Sequence, residues 1–366
     1  MSLILGILVA LFVSPAHSQP RDDRLRIGAF VPTEGNFALL GDQVREGLQI
    51  FTATAGRDSV DLLEEPDSCD AESGADAASA FAEANVDAVV GFLCLESLVA
   101  ALPILSSNDI PVLSLGVRSA IVGEDAKRLG WSFFRMAPNE RDEPEKIAEI
   151  IAKIWSGEPL ALVDDGTVYG RELAESVRLA LETKGIKPVY VDNYRPSLDK
   201  QFSLVRRIQK SGATHVFIGG DRQDAAIIAR DAAEAELDLV FMGGDALNAP
   251  DGEVPLSDGV LAVMLPDPDR LATAQDLTKV FDRADMTPNG YRIPAYAAGQ
   301  IVQAAHMATR TGAKSLVQAI SSQPFDTVLG KITFDADGDM EPNPLKLMVW
   351  RDVEFVPANE TGGAGN

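Results

Sequence analysis

Two patterns of apolar residues alternate along most of the chain. Short runs rich in β-branched residues and ending in Gly or Asp predict strands, whereas apolar residues spaced three or four apart predict amphipathic helices. The predicted strands are 25–31, 86–91, 110–114, 160–163, 188–191, 215–218 and 240–242. The predicted helices are 41–53, 71–83, 148–155, 170–184, 203–210 and 225–235. This alternation predicts an α/β protein with parallel sheets covered by helices on both faces.

The alternation divides into two series, one before about residue 137 and one from about 138 to 266. The chain has 366 residues, which fits two domains of roughly 150 residues each. Beyond the second series, three helical stretches lead into two further strands. The helical stretches are 270–284, 293–310 and 314–322, and the strands are 331–334 and 346–350. The Gly-rich tail 357–366 is expected to be disordered.

The first eighteen residues have the features of a secretory signal. Residues 3–13 form an apolar run that is short for a membrane span, and Pro15 and the small-x-small sequence Ala16-His17-Ser18 follow it. We therefore expect residues 1–18 to be a signal peptide, cleaved near Ser18, and the mature protein to be soluble and exported. The alternative is an N-terminal membrane anchor.

Charge and motif content exclude several classes of function. Acidic residues number 55 and basic residues 32, a net charge of −23, which argues against binding to nucleic acid or to an anionic membrane surface. The three histidines are too few for a multi-histidine metal centre. The chain has no G-x-G-x-x-G after its first strand, no P-loop and no G-x-S-x-G elbow. We therefore expect no cofactor, no metal and no catalytic residues.

The two cysteines, Cys69 and Cys94, both lie at the ends of loops. An oxidising compartment favours a disulfide between them, and closing this loop would stabilise the fold by roughly 3.5 kcal/mol. The alternatives are two free thiols or half of a metal site. We expect the disulfide.

Two similar segments in the second series each end in an aspartate. Residues 217–221 and 241–245 are buried strands that run into a glycine turn followed by Asp221 and Asp245. Ligands of open α/β sheets bind beyond the carboxyl ends of the strands, so both aspartates are candidate ligand contacts. The alternative is that each aspartate caps the following turn or helix.

Several segments in order resemble the type I periplasmic substrate-binding proteins of ABC transporters, in particular the leucine/isoleucine/valine-binding family. They include IGAFVPTEGNFALLGDQVREG, DSCD…VVGFLC with the cysteine spacing of the family, IPVLSLGVRS, FFRMAPNERDE and FMGGDALNAPD. The resemblance implies a Venus-flytrap of two Rossmann-like lobes, 24–136 plus 267–336 and 137–266 plus 337–356. Three crossover strands are expected near 134–137, 264–267 and 334–339.

The resemblance also places first-lobe residues in the ligand cleft. Leu95 stands where the family usually has a small hydroxyl residue, and Arg118 stands where it usually has threonine. We expect Arg118, with Gly116, Ser119 and Glu96, to line the cleft, and the guanidinium to bind a ligand carboxylate. The alternative is that Arg118 pairs with Glu96 or with the Asp245 carboxylate and only lines the cleft.

Three second-lobe residues are implied by the same resemblance. Tyr169 corresponds to the aromatic residue that closes over the ligand, and Asp245 to the acidic residue that pairs with an α-ammonium group. Asp221 replaces a position where branched-chain binders often have tyrosine. The expected cleft therefore has an anionic end and a guanidinium.

The sequence thus predicts the periplasmic solute-binding component of an ABC importer, a monomer that docks on an inner-membrane permease. Its expected ligand is an amino acid or a similar small solute with a carboxylate. One alternative is a sensory module that presents the same solute to a membrane receptor. A second is an exported α/β enzyme, for which the sequence shows no catalytic constellation.

Overall fold

The computed structural model describes residues 24–56, 59–312 and 315–359, so the predicted signal peptide and residues 360–366 of the predicted tail lie outside the described residues. The first sheet contains five parallel strands in the order β2-β1-β3-β4-β5. The strands are β1 Leu25–Pro32, β2 Val60–Asp67, β3 Ala88–Gly91, β4 Val112–Ser114 and β5 Phe133–Arg135. Helices α1 Ala38–Ala55, α2 Ala71–Glu83, α3 Leu95–Ser107 and α4 Ala120–Leu129 connect them. We call this unit the first lobe.

A second α/β unit follows, which we call the second lobe. Its parallel strands are β6 Leu160–Asp164, β7 Tyr190–Asn193, β8 His215–Gly219, β9 Val240–Gly243 and β10 Leu261–Met264. Its helices are α5 Asp142–Ile154, α6 Val168–Thr183, α7 Phe202–Ser211 and α8 Arg222–Glu234. Apolar side chains are buried on both faces of this sheet, against α5 and α6 on one side and α7 and α8 on the other.

The rest of the chain returns to the first lobe and then to the second. The returning elements are α9 Gln275–Arg283, α10 Arg292–Thr311, α11 Leu316–Ser322, β11 Phe325–Thr327, β12 Gly330–Phe334 and β13 Met340–Glu341. The buried face of α10 packs with residues of β1, β3 and α1 in one cluster. The last strands, β14 Lys346–Arg351 and β15 Glu354–Pro357, complete a seven-stranded sheet in the order β15-β14-β10-β9-β8-β6-β7.

Three segments connect the two lobes in the described chain, at 136–141, 265–274 and 335–345. The first and third of them run side by side where Arg135, the last residue of β5, forms a parallel β-bridge with Asp339. The Arg135 side chain is fully buried there, with its Nε 2.8 Å from Asp339 Oδ1. Neighbouring carboxylates and this buried guanidinium therefore hold two connections side by side.

The predicted α/β class with parallel sheets is confirmed, and most predicted elements lie within a few residues of their observed bounds. The sequence pattern does not predict helices α3 and α4 or strands β2, β5, β10, β11, β13 and β15. Strand β2 reads VDLLEEPD, and its acidic residues hide the apolar alternation of an edge strand. Helix α5 begins at Asp142, six residues before the predicted start at 148. Pro144 does not prevent this, because proline is tolerated in the first turn of a helix. Within the described ranges, no helix has an apolar stretch long enough to span a membrane.

Candidate ligand-binding cleft

The carboxyl ends of the parallel strands in each lobe lead into the loops that carry the predicted ligand residues. The β4–α4 loop of the first lobe contains Gly116, Arg118 and Ser119. The loops after β6, β8 and β9 of the second lobe lead to Tyr169, Asp221 and Asp245. The edge of a sheet at its strand ends is the usual ligand position in open α/β folds.

Arg118 extends from the first lobe towards the second. Its Nε donates a hydrogen bond to the Pro138 carbonyl oxygen (3.2 Å), and one terminal nitrogen lies 3.8 Å from Glu143 Oε2. The side chain is 40% exposed. In the described part of the chain, its acidic neighbour is therefore Glu143, and neither of the two partners considered from sequence, Asp245 and Glu96, pairs with it.

Glu143, in the first turn of α5, is the centre of the second-lobe contacts. It is only 4% exposed, and its Oε1 accepts hydrogen bonds from the Tyr169 hydroxyl (3.1 Å) and the Asp245 backbone N–H (2.8 Å). Burial raises the pKa of this carboxyl, and the nearby Asp245 carboxylate adds to the rise. Residue 244 is a glycine, and a Cβ there would lie 2.2 Å from Glu143 Oε1. A side chain at this position would therefore push the Glu143 carboxylate away from the Asp245 N–H.

Sequence reasoning missed Glu143. The residue lies in FFRMAPNERDE, which carries the family resemblance, and it precedes Pro144, so the helix pattern starts too late to include it. An acidic residue directly before a proline, where the chain enters a helix, is the one available signal. That signal does not reveal the contact with loops more than twenty residues away.

Tyr169 and Asp245 are both held by the structure around Glu143. Tyr169 lies in the first turn of α6, where the Thr167 side chain caps the helix by accepting a hydrogen bond from the Gly170 N–H. Burial of its hydroxyl and the Glu143 carboxylate raise the pKa of Tyr169. The Asp245 Oδ1 accepts a hydrogen bond from the Leu265 N–H (3.0 Å), in the second connection between the lobes.

Asp221 has the capping role that the sequence offered as an alternative. It is the N-cap of α8, and its Oδ1 accepts a hydrogen bond from the Asp224 N–H (2.8 Å). The side chain is exposed at the edge of the sheet. Asp245, by contrast, makes no side-chain cap, because Gly244 precedes the short 3-10 helix that Asp245 begins.

Of the remaining first-lobe residues, Gly116 and Ser119 lie beside Arg118 in the β4–α4 loop, and Glu96 does not. Gly116 is close to Leu93 and to the Tyr291 hydroxyl, and the Ser119 carbonyl oxygen accepts a hydrogen bond from buried Arg135 (2.8 Å). Tyr291, just before α10, is a further residue that sequence reasoning missed. Burial raises the pKa of its hydroxyl, and the positive charge of Arg118 offsets part of this rise. Glu96 is exposed in the first turn of α3, and the described residues show no hydrogen bond or ion pair between it and this group.

A groove of about 830 Å³ opens beside the side chains of Arg118, Glu143 and Tyr169. Arg118, Glu143 and Tyr169 line one end, and the groove continues between α5 and α6 to Leu179. The structure therefore brings Arg118, Tyr169 and Asp245 together through Glu143. Glu96 and Asp221 stand apart from that group, on other parts of the two edges.

The predicted disulfide between Cys69 and Cys94 is confirmed. It joins the end of β2 to the N-cap of α3, where the Ser97 hydroxyl donates a hydrogen bond to buried Asp67 (3.0 Å). Asp67 and the two sulfur atoms are close enough to resemble a metal site. Because both sulfurs are used in the disulfide, no thiolate is left to bind a metal.

The fold and the cleft define a two-lobed binding protein, and comparison with known proteins identifies its class. A model of the periplasmic binding protein family matches residues 24–354. The Leu/Ile/Val-binding protein homolog 2 of Brucella abortus (strain 2308) is 27% identical over 367 residues, which cover 96% of this chain and 97% of the relative. The chain belongs to the periplasmic binding protein family.

Two solved structures have the same fold. The ABC transporter substrate-binding protein of Desulfitobacterium hafniense in complex with Leu has a TM-score of 0.64 at 23% identity, covering 91% of this chain and 99% of that chain. A solute-binding protein of an ABC transporter from Rhodopseudomonas palustris HaA2, in complex with p-hydroxybenzoic acid, has a TM-score of 0.64 at 14% identity, covering 92% and 95%.

Membership in this family confirms the predicted type I fold and the prediction of a solute-binding protein that is not an enzyme. Membership also agrees with the predicted periplasmic location.

Proposed function

We propose that this protein is the solute-binding component of an ABC importer and that its ligand is an amino acid or a similar small solute with a carboxylate. In this proposal a monomer binds the solute between its lobes, closes, and docks on an inner-membrane permease. The signal peptide that exports it ends near Ser18. The observation that carries the proposal is the charge arrangement of the cleft, with Arg118 on the first lobe and carboxylates on the second.

Arg118 is suited to bind a carboxylate. In the described residues its guanidinium donates one hydrogen bond, from Nε, and its terminal nitrogens make only the loose 3.8 Å approach to Glu143. A ligand carboxylate would be bound by two parallel N–H donors, a stronger arrangement than the hydroxyl that the family usually offers. Gly116 and Ser119 lie within two residues of Arg118 and complete this end of the cleft.

The second-lobe carboxylates favour an amino acid over a simple aromatic acid. Asp245 is half-buried and accepts one backbone hydrogen bond, so its second oxygen is available for an ammonium group. Benzoate-type ligands, such as the p-hydroxybenzoic acid bound to the Rhodopseudomonas palustris protein, have no cation to offer. Such a ligand would satisfy Arg118 and leave Asp245 desolvated without a partner, which costs binding energy. Tyr169 would cover the ligand from the second lobe.

The first experiment is native mass spectrometry of protein freshly purified from the periplasm. We expect a co-purified solute with both a carboxylate and an amino group. Titration calorimetry with that solute should show saturable binding, and small-angle scattering should show a smaller radius of gyration when it is bound. If the solute is chemically converted, or if benzoates bind and amino acids do not, the proposed function is wrong.

The importer role needs a separate measurement in cells. Deletion of the gene should abolish high-affinity uptake of the radiolabelled solute, and the wild-type gene should restore it. Normal uptake together with a lost chemotactic or transcriptional response would favour the sensory alternative.

A further inference from the structure

Acidic residues follow three neighbouring strands of the second lobe. Strands β6, β8 and β9 pair in parallel, and Asp165, Asp221 and Asp245 come one or two residues after their ends. Neighbouring strands lie about 4.8 Å apart, so the backbones at Asp165 and Asp245 are roughly 10 Å apart across this edge. Asp221 lies between them and is the exposed member of the row.

Among the residues that the structure describes, the outer part of this row has no cationic partner. Asp165 is 5% exposed and Asp224, behind it in α8, is 1% exposed. Their hydrogen bonds come from neutral donors: the Thr167 N–H and hydroxyl to Asp165, and the Ser197 N–H to Asp224. Within the described ranges, no lysine, arginine or histidine pairs with these carboxylates or with Asp221. Buried carboxylates without a counter-ion are costly, and a cation would stabilise them.

An unsatisfied hydroxyl points into the same cluster. The Tyr194 hydroxyl is buried and has no hydrogen-bond partner among the described residues; the whole residue is 5% exposed. A Cβ on Gly220 would lie 2.2 Å from this hydroxyl and 3.4 Å from Asp165 Oδ2. The glycine that precedes Asp221 therefore keeps the space between hydroxyl and carboxylates free of a side chain. Burial raises the pKa of Tyr194, and the surrounding aspartates add to the rise.

We propose that the ligand carries a second cationic group, on its side chain, and that Asp221 binds this group with Asp165 and the Tyr194 hydroxyl directly behind it. The inference rests on the proposed function, since it assumes that Arg118 binds the carboxylate and Asp245 the α-ammonium. The ligand class is then the basic amino acids. In an extended lysine the two nitrogens are six bonds apart, about 7 Å, which fits between Asp245 and the Asp221–Asp165 end of the edge.

The test compares ligands that differ in the side-chain cation alone. Protein purified from the periplasm and freed of co-purified solute is titrated with L-ornithine, L-lysine and L-arginine, and with L-norleucine, which has the lysine chain without its terminal nitrogen. We expect at least one basic amino acid to bind with a Kd about tenfold or more below that of L-norleucine, because hydrogen bonds to charged groups contribute this much.

The variant Asp221→Asn removes the charge and keeps the helix cap, because asparagine caps as well as aspartate. It should weaken binding of the preferred basic amino acid about tenfold more than it weakens binding of L-norleucine. Tyr194→Phe should show the same preference with a smaller change. The matched control is Asp70→Asn, the N-cap of α2 in the first lobe, which accepts a hydrogen bond from the Ser73 N–H and should leave all affinities as they were.

The outcomes separate the two proposals. If L-norleucine binds as tightly as every basic amino acid, or if Asp221→Asn weakens all ligands equally, the second cation site is wrong and the proposed function stands. If no amino acid binds and only carboxylates without an amino group do, the proposed function is wrong and the inference fails with it.

Discussion

The strand ends of the two lobes have the same architecture and opposite chemistry. The first-lobe edge, residues 93–96 and 115–119, is mostly leucine, glycine and valine, with the guanidinium of Arg118 and, apart from it, the exposed carboxylate of Glu96. The second-lobe edge, residues 164–165, 220–221 and 244–245, presents glycine and aspartate, with Glu143 behind it. Parallel sheets place ligand loops at both edges, and the side chains then decide which end of a ligand each lobe binds.

The two edges also differ in what holds them. The first-lobe edge is fastened by the Cys69–Cys94 disulfide and by the buried hydrogen bond from Ser97 to Asp67. The second-lobe edge has no cross-link and is held by carboxylates that accept backbone hydrogen bonds, among them Glu143 and Asp224. Burial raises the pKa of both, as it does for Asp67 in the first lobe. Both edges therefore contain buried carboxylates that cost stability, but only the first-lobe edge is also fastened by a disulfide.

Replacing the cation of the first-lobe edge should have the largest effect. Arg118→Ala should weaken binding of the ligand by about 2–5 kcal/mol, because the ligand carboxylate is left desolvated and unpaired. Arg118→Lys should restore part of this, since an ammonium cannot reproduce two parallel hydrogen bonds. Titration calorimetry measures both. The control is Arg128→Ala, an exposed arginine that pairs with Asp125 at the end of α4.

Unchanged affinity in Arg118→Ala would show that the charge of the first-lobe edge does not bind the ligand. The first-lobe edge would then bind the ligand through backbone amides and Ser119, and the charge difference between the lobes would not orient the ligand. Asp245→Asn tests the opposite edge, and should weaken binding only for solutes that carry an amino group.

Removing the disulfide should affect the first lobe alone. The double variant Cys69→Ser/Cys94→Ser should lose about 2–4 kcal/mol of free energy of unfolding, because the cross-link restricts the unfolded chain. Hydrogen exchange should rise in β2 and α3, while β6, β8 and β9 stay as protected as in the wild type. Equal loosening of both lobes, or an unchanged denaturation midpoint, would show that the disulfide does not fasten one edge.

Local patterns were enough to predict the elements that carry most of the site. The glycine-aspartate turns after β8 and β9 and the helix that begins near Tyr169 follow from short-range periodicity, and α2 has the predicted bounds. The resemblance supplied the positions of Arg118 and Tyr169 in the cleft. The contacts among them could not be predicted, because each joins residues that are far apart in sequence.

The contacts of Glu143, Tyr291 and Arg135 are examples of what could not be predicted from the sequence. Glu143 contacts Asp245 across 102 positions, and Tyr291 reaches Gly116 from a loop without periodicity. Arg135 is fully buried beside Asp339, although arginine is seldom buried. No pattern along the chain indicates that a charged residue will find a partner on a separate connection between the lobes.

The smallest expected effect concerns the pH dependence of the second-lobe edge. Burial, together with the Asp221 and Asp165 carboxylates, raises the pKa of Asp224 to about 6. In the unfolded chain an aspartate titrates near 3.9, so between about pH 4 and pH 6 the folded protein holds a proton that the unfolded chain releases. The stability contributed by this group is therefore present below about pH 4 and is lost as the pH rises to about 6.

Asp224→Asn should remove that dependence while its amide oxygen still accepts the hydrogen bond from the Ser197 N–H. The free energy of unfolding of the variant relative to the wild type should rise by about 1–2 kcal/mol from pH 4 to pH 6.5 and stay level above, as measured by urea unfolding. Asp70→Asn is the matched first-lobe control: its pKa is lowered by the Ser73 hydrogen bonds, so removing it should change the pH dependence in the opposite direction. Parallel curves for Asp224→Asn and the wild type would show that this aspartate bears no uncompensated charge, and the electrostatic contrast between the two edges would then rest on the other second-lobe carboxylates.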